Sequence, residues 1–550
     1  MTRSAKGITR RGALALAVAG ATAGAVAWLV GEAEGAPGTG VHSGSPHAGH
    51  GSDAVAGLEG VRERGQTGLL LRSRIDLPAP FGSPLPLLRP ARAVHTAQGD
   101  LYEITARSAV AELLPGVQTT IHAYDGRMPG PLIVSRRGTP VIVRVRNELP
   151  FPVTTHLHGG RTPAVHDGFP TDLVLPVGGW PHPLAHEGRI AEGGRDYVYP
   201  LDQRAATLWY HDHRMDFTGA QVWLGLAGMH LHRDEEEDAL SLPRGDREVP
   251  LMIADRAFDA DGSLMYPAVD RDLAVVGGVT GGFHDGVLGD VILVNGRAWP
   301  ELEVEPAQYR LRLVNASNAR WYRLTLDGLA HDEPGFVQIG GDGGLLAAPV
   351  RHRALQLAPG ERFDVVVDFR GLRRGDAVVL GNALGDGSTA KVMRFRVRAD
   401  QADDDVVVPD VLGVVEPLGE PVRARSFSFG RADAAGASAS GHAAVWRING
   451  EGYDPTTAVA EVRAGDVEEW EFTTDNRHPV HVHLSPFQVV ARGARGPGPF
   501  DAGWKDTIAL GPGERARVRV RFDADPGRYM LHCHTLEHED MAMMANFDVV

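Results

Sequence analysis

Ten histidines of the chain fall into four tight clusters whose spacing suits metal binding. The clusters are His156-Leu-His158, His211-Asp-His213, His478-Pro-Val-His481-Val-His483, and His532-Cys-His534 followed by His538. Residues i and i+2 of a β-strand point to the same face, so each H-x-H presents two imidazoles side by side. Four such pairs on converging strands would supply more imidazoles than a tetrahedral zinc ion can use. The pattern therefore predicts a site that holds several metal ions.

Cys533 is the only cysteine in the 550 residues, and it lies between two clustered histidines. A single cysteine cannot form an internal disulfide, so it is either a small buried apolar residue or a thiolate ligand. Because it alternates with its histidine neighbours, its side chain should point to the opposite face of the strand. His478, His538 and Met543 are its candidate partners there. Two histidines, a thiolate and a weak axial methionine describe a blue-copper site, although Met543 could instead fill the core.

A further H-x-H, His230-Leu-His232, stands apart from the four clusters. An isolated pair of this kind is interpreted as two solvent-exposed strand residues, and we assign it no metal.

Short β-rich runs separated by Gly, Pro and Asp turns make up most of the chain, as in PVIVRVRN, QYRLRLVN and RARVRVRF. This pattern is typical of β-sandwiches. Three stretches are related as a repeat: each begins with Asp-Gly or Asn-Gly, at Asp125, Asn295 and Asn449, and continues through two strand-like runs. The first and third copies end in histidines, whereas the second does not. The repeat predicts three related sandwiches with metal chemistry in the outer two.

The N-terminus and the composition predict an exported protein. Arg10-Arg11 precedes a weakly apolar, Ala/Gly-rich run, Gly12 to Val30, which resembles a twin-arginine signal; the alternative is an uncleaved membrane anchor. A Gly/Ser/His-rich linker follows. The net charge of -15 argues against nucleic acid as a partner. We expect a secreted, periplasmic or cell-surface protein that has no membrane contact after signal cleavage and is a monomer.

The motifs HLHGG, WYHDH, HPVHVHLSPF and HCHTLEHEDMAMM make the chain resemble the multicopper oxidases, in that family's order. VNGRAWPELEVEPAQYRLRLVNASNAR, GWKDTI and LEHEDM are similar to the branch of bacterial spore-coat laccase, bilirubin oxidase and phenoxazinone synthase. The resemblance implies an all-β fold of three cupredoxin-like Greek-key β-sandwich domains. With the repeat, it divides the chain into a signal peptide (1–36), a flexible linker (37–64), domain 1 (65–236), a copper-free domain 2 (247–400) and domain 3 (415–550).

The resemblance also implies four copper ions per chain, one type 1, one type 2 and two type 3. The type 1 ligands would be His478, Cys533, His538 and axial Met543. The type 2 copper would be held by His156 and His481, and the type 3 pair by His158, His211, His213, His483, His532 and His534. Asp167 and Glu539, which match the branch, would relay the protons that oxygen reduction needs.

The activity implied is that of a laccase, which takes single electrons from a small aromatic donor such as a phenol and reduces O2 to water. We expect the donor to dock near His478 or His538, on an exposed rim of the type 1 site. The alternatives are a metallo-oxidase for Cu(I), Fe(II) or Mn(II), and a copper-storing protein without activity. A two-domain nitrite reductase fits poorly, because it lacks a middle sandwich.

Overall fold

The computed structural model describes residues 58–329, 334–437, 443–523 and 525–550, with side chains left out at 433–437 and 443–444. The predicted signal peptide and most of the predicted linker lie outside these ranges. Among the described residues no helix is long and apolar enough to cross a membrane.

Strands dominate the described residues throughout. Up to residue 240 they are β1 Gly60–Arg62, β2 Leu69–Leu71, β3 Val94–Thr96, β4 Gly99–Ala111, β5 Thr119–Tyr124, β6 Ile133–Arg136, β7 Val141–Asn147, β8 Thr155–His158, β9 Val174–Leu175, β10 Ala191–Glu192, β11 Gly194–Tyr199, β12 Ala206–Asp212 and β13 Ala227–Arg233. From there to residue 400 they are β14 Glu248–Arg256, β15 Val287–Gly289, β16 Val291–Val294, β17 Arg297–Ala298, β18 Glu301–Val304, β19 Gln308–Asn315, β20 Tyr322–Asp327, β21 Phe336–Gly341, β22 Gly344–His352, β23 Leu355–Leu357, β24 Arg362–Asp368, β25 Ala377–Asn382 and β26 Lys391–Val397.

The remaining strands are β27 Arg423–Ala437, β28 Ala443–Ile448, β29 Ala458–Val462, β30 Val467–Thr474, β31 His478–Val482, β32 Phe487–Arg492, β33 Thr507–Leu510, β34 Arg515–Arg521, β35 Gly527–Cys533 and β36 Met544–Val549. The described helices are short: α1 Thr218–Leu224, α2 Glu235–Asp238 and α3 Leu536–Asp540, with 3-10 turns at Ala164–His166, Gly245–Arg247 and Gly281–Phe283.

Six of the eight sheets of the described residues form three successive pairs along the chain, and the other two are the small sheets β1-β2-β15 and β10-β9. The first pair has the orders β11-β7-β4-β3, with β5 on β4, and β6-β13-β12-β8. The second has β17-β16-β14-β19-β24-β21-β22 and β18-β26-β25-β20-β23. The third has β28-β27-β30-β34-β32 and β29-β36-β35-β31-β33. The predicted all-β fold of cupredoxin-like sandwiches is confirmed, while the exact domain limits stay a prediction.

Local sequence explains how these sheets form. Along β7 and β34 buried aliphatic residues alternate with more exposed ones, as a sheet with one face on a core requires. The three repeat-opening dipeptides all have positive φ at both residues: Asp125-Gly126, Asn295-Gly296 and Asn449-Gly450. Positive φ at both central residues is the signature of a type I′ turn, and Asn-Gly and Asp-Gly adopt it at little cost. The shared conformation supports the repeat.

The predicted linker, residues 37–64, ends earlier than we expected. Gly60–Arg62 pairs with Leu69–Leu71, which in turn pairs with Val287–Gly289. Glu63 is buried and accepts a hydrogen bond of 2.7 Å from Arg320. Residues 60–63 are therefore part of the folded body, because a buried ion pair ties them to it.

Candidate metal centres

Cys533 lies at the end of β35, and two histidines meet its sulfur. The Cys533 Sγ is 3.4 Å from His478 Nδ1 and 3.5 Å from His538 Nδ1. Strand pairing places Val480 opposite Cys533, so His478 arrives from the start of β31. The chain then turns into α3, which returns His538 to the same spot. All three side chains are fully buried, and their ligand atoms form one potential metal group.

Met543 is joined to this group through its backbone. Its carbonyl accepts a hydrogen bond of 3.1 Å from Cys533 N, and its own N–H donates to the His538 carbonyl at 2.9 Å. The side chain is fully buried and packs in the same apolar cluster as Cys533. Its assignment as axial ligand stays a prediction.

The chemistry of this group fits a bound cation. Burial raises the pKa of the Cys533 thiol and lowers the pKa values of His478 and His538. The two histidines are therefore neutral, and their Nδ1 atoms face each other at 3.2 Å. The lone pairs of the two Nδ1 atoms and the Cys533 sulfur face one another in an apolar pocket. This arrangement is unfavourable unless a cation lies between them. A coordinated metal would also deprotonate the thiol outright.

The other eight clustered histidines meet in a second, separate group. The register pairs His211 with His156 across β12 and β8, and His481 with His532 across β31 and β35. Each of these four is followed two residues later in the chain by another member of the group: His158, His213, His483 and His534. All eight are at most 1% exposed. The intervening Leu157 and Cys533 pack into apolar cores instead, so the alternation predicted for H-x-H on a strand is confirmed.

The nitrogens of this second group divide into anchored and unpartnered atoms. Backbone carbonyls accept from the Nδ1 atoms of His156, His481 and His211 at 2.6, 2.8 and 2.8 Å. The Nε2 atoms of the same three histidines have no hydrogen-bond partner among the described residues. His158 is reversed, with Nε2 anchored and Nδ1 unpartnered.

Two further histidines, His213 and His534, have no hydrogen bond to either ring nitrogen within the described residues. Buried polar atoms are rarely left unpaired in proteins. The geometry groups His156 with His158 and His211, His156 with His481 and His483, and His213 with His483 and His532, with the ligand atoms of each group within 4.8 Å of one another. The residues present fit several bound metal ions, although the division of individual histidines between types stays a prediction.

Asp167 and Glu539 both lie beside this cluster. Asp167 Oδ2 accepts from His483 Nδ1 at 2.8 Å. Burial would raise the pKa of Asp167, but His483 and His156 outweigh it and hold that pKa well below its usual value. Glu539 places Oε1 3.4 Å from His213 Nδ1 and Oε2 3.1 Å from His532 Nδ1. Burial raises the pKa of Glu539, so the two carboxyl groups are shifted in opposite directions.

Asp506 anchors two histidines of the cluster and is itself held by the middle sandwich. Its carboxylate accepts from His158 Nε2 at 3.0 Å, and its backbone carbonyl accepts from His481 Nδ1. Arg362 at the start of β24 pairs with both carboxylate oxygens. Arg362 is fully buried and also donates to the carbonyls of Thr207 and Asp342.

Arg362 was not predicted from the sequence. The one sequence feature that could have pointed to Arg362 is the motif PGER in the second repeat, which recurs at 512–515 in the third. There the arginine, Arg515, is exposed. Gly360 in the same phrase touches the cluster, since a Cβ there would lie 2.9 Å from the His534 ring.

The prediction that His478 or His538 lies on an exposed rim of the type 1 site is wrong, because both histidines are fully buried. Trp446 covers His538, with ring centroids 4.0 Å apart. His478 reaches the surface through Asp475, whose Oδ1 lies 2.9 Å from His478 Nε2 and whose side chain is 47% exposed. Asp475 was not predicted, because its role depends on the turn that precedes β31.

The interpretation of His230 and His232 as solvent-exposed is also wrong. Both are fully buried on β13, and both contact Ser135 Oγ, at 2.6 Å from His230 and 2.8 Å from His232. β13 lies between β6 and β12 with both faces covered, so alternation along it does not separate solvent from core.

Comparison with known proteins gives a consistent result. Two family models described as multicopper oxidase match residues 105–237 and 429–550. A laccase of Bacillus stratosphericus is 35% identical over 511 residues, which covers 78% of this chain and 91% of the relative. A bilirubin oxidase of Albifimbria verrucaria is 33% identical, with 81% of this chain and 76% of the relative covered. A solved laccase from Pediococcus acidilactici superimposes with a TM-score of 0.74 at 29% identity, over 87% of this chain and 96% of that one.

Proposed function

The chain belongs to the multicopper oxidase family, and we propose that it is a laccase-type member that oxidises phenolic or other small aromatic donors. As a multicopper oxidase it is a copper-dependent oxidoreductase that uses oxygen, and four copper ions per chain are standard for the family. The observation that carries the proposal of donor class is Asp475. It joins a buried ligand of the type 1 site to solvent through a single hydrogen bond.

In this proposal the type 1 copper is held by His478, Cys533, His538 and Met543, and the other eight clustered histidines hold the type 2 and type 3 ions. Bound copper supplies one-electron transfer from the donor and the four-electron reduction of O2 to two waters. The chain provides the connection between the two groups, because Cys533 is covalently continuous with His532 and His534. It also excludes water, since every one of these ligands is buried.

Asp475 would receive the donor. A phenolic O–H can donate to its exposed carboxylate, which would connect the donor to His478 Nε2 through two hydrogen bonds that share Asp475. Loss of the phenolic proton makes the donor easier to oxidise, and a carboxylate is a suitable acceptor for that proton. The pKa of Asp475 is lowered, because hydrogen bonding to His478 and to the Arg431 backbone outweighs the effect of burial, so it is ionised at neutral pH.

Protons for oxygen reduction would pass through Asp167 and Glu539. Glu539, with its raised pKa and two neighbouring imidazoles, is suited to hold and donate a proton. Asp167, whose lowered pKa makes it release a proton readily, would pass protons on rather than hold them, and it fixes the ring of His483. Two carboxyl groups whose pKa values are pushed apart by their surroundings can divide acid and base roles.

A metallo-oxidase is the second candidate, and one observation favours it. Asp475 is not the only carboxylate near the type 1 ligands: Asp285 is 23% exposed and pairs with Arg431, which also lies over Trp446. Two partly exposed carboxylates on this side could hold a small cation such as Fe(II). Carboxylate oxygens suit hard cations better than Cu(I), which prefers thioether or thiolate ligands.

Steady-state oxygen uptake separates the two candidates. The copper-loaded protein would be assayed with a phenol, with Fe(II) and with Cu(I), alongside Asp475→Asn and Asp285→Asn. A laccase should have its highest kcat/KM with the phenol, and only Asp475→Asn should lower it. A higher kcat/KM for a metal ion that falls in both variants would replace the laccase proposal with the metallo-oxidase.

We further propose export by the twin-arginine route, from Arg10-Arg11, to the cell surface, periplasm or medium, and a monomeric state. Replacing both arginines by lysine should retain the protein in the cytoplasm, as measured by fractionation. Light scattering of the purified protein should give the mass of one chain, and a dimer mass would contradict the second part.

A further inference from the structure

A cavity of about 290 Å³ opens beside the larger histidine cluster, away from the type 1 ligands. Its walls come from the residues after β8, before β12, after β31 and before β33. Asp506, which anchors His158, forms part of its lining, as do Gly159 and Trp504. Neither Asp475 nor any type 1 ligand contributes to it.

The lining is unusually rich in arginine. Four arginines line it, Arg137, Arg161, Arg204 and Arg521, against three aspartates, Asp202, Asp506 and Asp523.

These aspartates do not neutralise all four guanidinium groups. Arg137 pairs with Asp202 at 3.0 Å, and Arg521 lies 3.9 Å from Asp523. The third aspartate, Asp506, forms an ion pair with the buried Arg362, which does not line the cavity. Arg161 has no acidic partner among the described residues of the lining, whereas Glu236 and Asp234 act on Arg204 from outside the lining.

Arg204 supplies a second observation that points to a ligand. Its Nη1 is buried and has no hydrogen-bond partner among the described residues. Burial lowers the pKa of Arg204, although Glu236 and Asp234 act against this shift from nearby. The Asp234 carboxylate is occupied by the backbone N–H groups of Ala205 and Glu237. A guanidinium N–H without an acceptor, on a residue that lines an arginine-rich cavity, is a candidate donor to an anion.

We propose that this cavity binds a small aromatic carboxylate. The guanidinium groups of Arg204 and Arg161 would hold the carboxylate, since arginine matches its two oxygens with two N–H donors. The Trp504 indole and the apolar side chains of Leu418, Leu484 and Pro486 would cover the ring. The volume admits a molecule the size of benzoate. The bound ring would lie beside Asp506 and therefore affect the oxygen-reducing side of the protein, leaving the donor site open.

Calorimetric titration of the full protein with benzoate tests the proposal without any donor. One site per chain is expected, with similar affinity in copper-loaded and copper-free protein. Benzamide, which has the same shape but no charge, should bind at least roughly tenfold more weakly, because hydrogen bonds to charged groups are the stronger ones. Absence of saturable benzoate binding, or equal binding of benzamide, would overturn the proposal.

Variants locate the site. Arg204→Gln and Arg161→Gln should each weaken benzoate binding by roughly tenfold or more. Arg161 is exposed, so its variant should fold normally even if Arg204→Gln does not. Arg515→Gln, at an exposed arginine outside the cavity, is the matched control and should bind as the parent does. Wild-type affinity in Arg161→Gln and Arg204→Gln would refute the site, and binding only to copper-loaded protein would show that benzoate ligates the metal instead.

Inhibition gives an independent readout that depends on the oxidase activity. Benzoate should lower kcat for the aromatic donor with little change in its KM, and Arg161→Gln should remove this effect. Benzoate that raises only KM would place it in the donor site and contradict the proposal. A protein without oxidase activity would still bind benzoate, so the two proposals fail separately.

Discussion

Replacing Asp506 by Asn should destabilise the protein even before copper is added. Asn keeps the size of the side chain but removes a charge that Arg362 meets with both of its terminal nitrogens. The two side chains are 7% and 0% exposed. Removing one partner of a buried ion pair typically costs about 3–5 kcal/mol, and the low end applies here because Asp342 Oδ1 still lies 3.7 Å from Arg362 Nη1. We expect a loss of that size in the free energy of unfolding.

The same change should weaken copper binding. Asp506 Oδ1 fixes the orientation of His158 and lies 3.5 Å from His481 Nδ1. Loss of a hydrogen-bond partner behind a metal-binding histidine typically lowers metal affinity by about 10- to 100-fold. Copper content after dialysis against a chelator, read with the electron paramagnetic resonance signal of the type 2 ion, would measure this loss directly.

A double-mutant cycle separates the ion pair from general damage. Urea unfolding would be measured on copper-free Asp506→Asn, Arg362→Met and the double variant. The double variant should lose less stability than the sum of the single ones, by an amount within the roughly 0.5–3 kcal/mol typical of contacting residues. Asp196→Asn, which breaks the exposed pair with Arg144, should leave the unfolding midpoint nearly unchanged. Additive losses, or wild-type stability and copper content in Asp506→Asn, would refute the reasoning.

Three further outcomes are expected. Glu539→Gln should keep the blue band but slow oxygen turnover over a pH series, because Gln cannot carry the proton; unchanged turnover would remove Glu539 from the proton path. Asp475→Asn should lower kcat/KM for a phenol by about 100-fold at full copper content, the low end of what one general base contributes, and a wild-type value would exclude its role. Arg312 and Arg233 outweigh the effect of burial and lower the pKa of Glu248 to about 2. The stability that ionised Glu248 gives to the folded state should therefore be complete above pH 4.3 and lost as the pH falls toward 2. Glu248→Gln should flatten the acid limb of urea stability between pH 5 and about 2.5, and an unchanged limb would contradict this.

The periodicity of the sequence was sufficient to predict which side chains of the H-x-H motifs share a face. H-x-H on a strand places two imidazoles on one face and the intervening residue on the other, and the structure has this arrangement at His532, Cys533 and His534. The dipeptides that open the repeat, at Asp125, Asn295 and Asn449, likewise share one backbone conformation in the structure. Both features depend only on neighbours along the chain.

The features that could not be predicted from the sequence depend mainly on contacts between distant parts of the chain. Arg362 acts on Asp506 across 144 residues, and no local pattern connects them. His230 and His232 were taken as exposed because alternation tells which residues share a face, not whether that face is covered. Asp475 lies only three residues before His478, but its orientation is set by the turn and by the Arg431 backbone, which the sequence does not display.

The absorption spectrum of the copper-loaded protein, taken with its copper content, tests the central claim most directly. We predict four copper ions per chain and an intense blue absorption band from the Cys533 thiolate. Cys533→Ser should abolish the band while three copper ions remain bound at the larger cluster. Full copper loading without a blue band, or a band that survives in Cys533→Ser, would contradict the account of both metal groups.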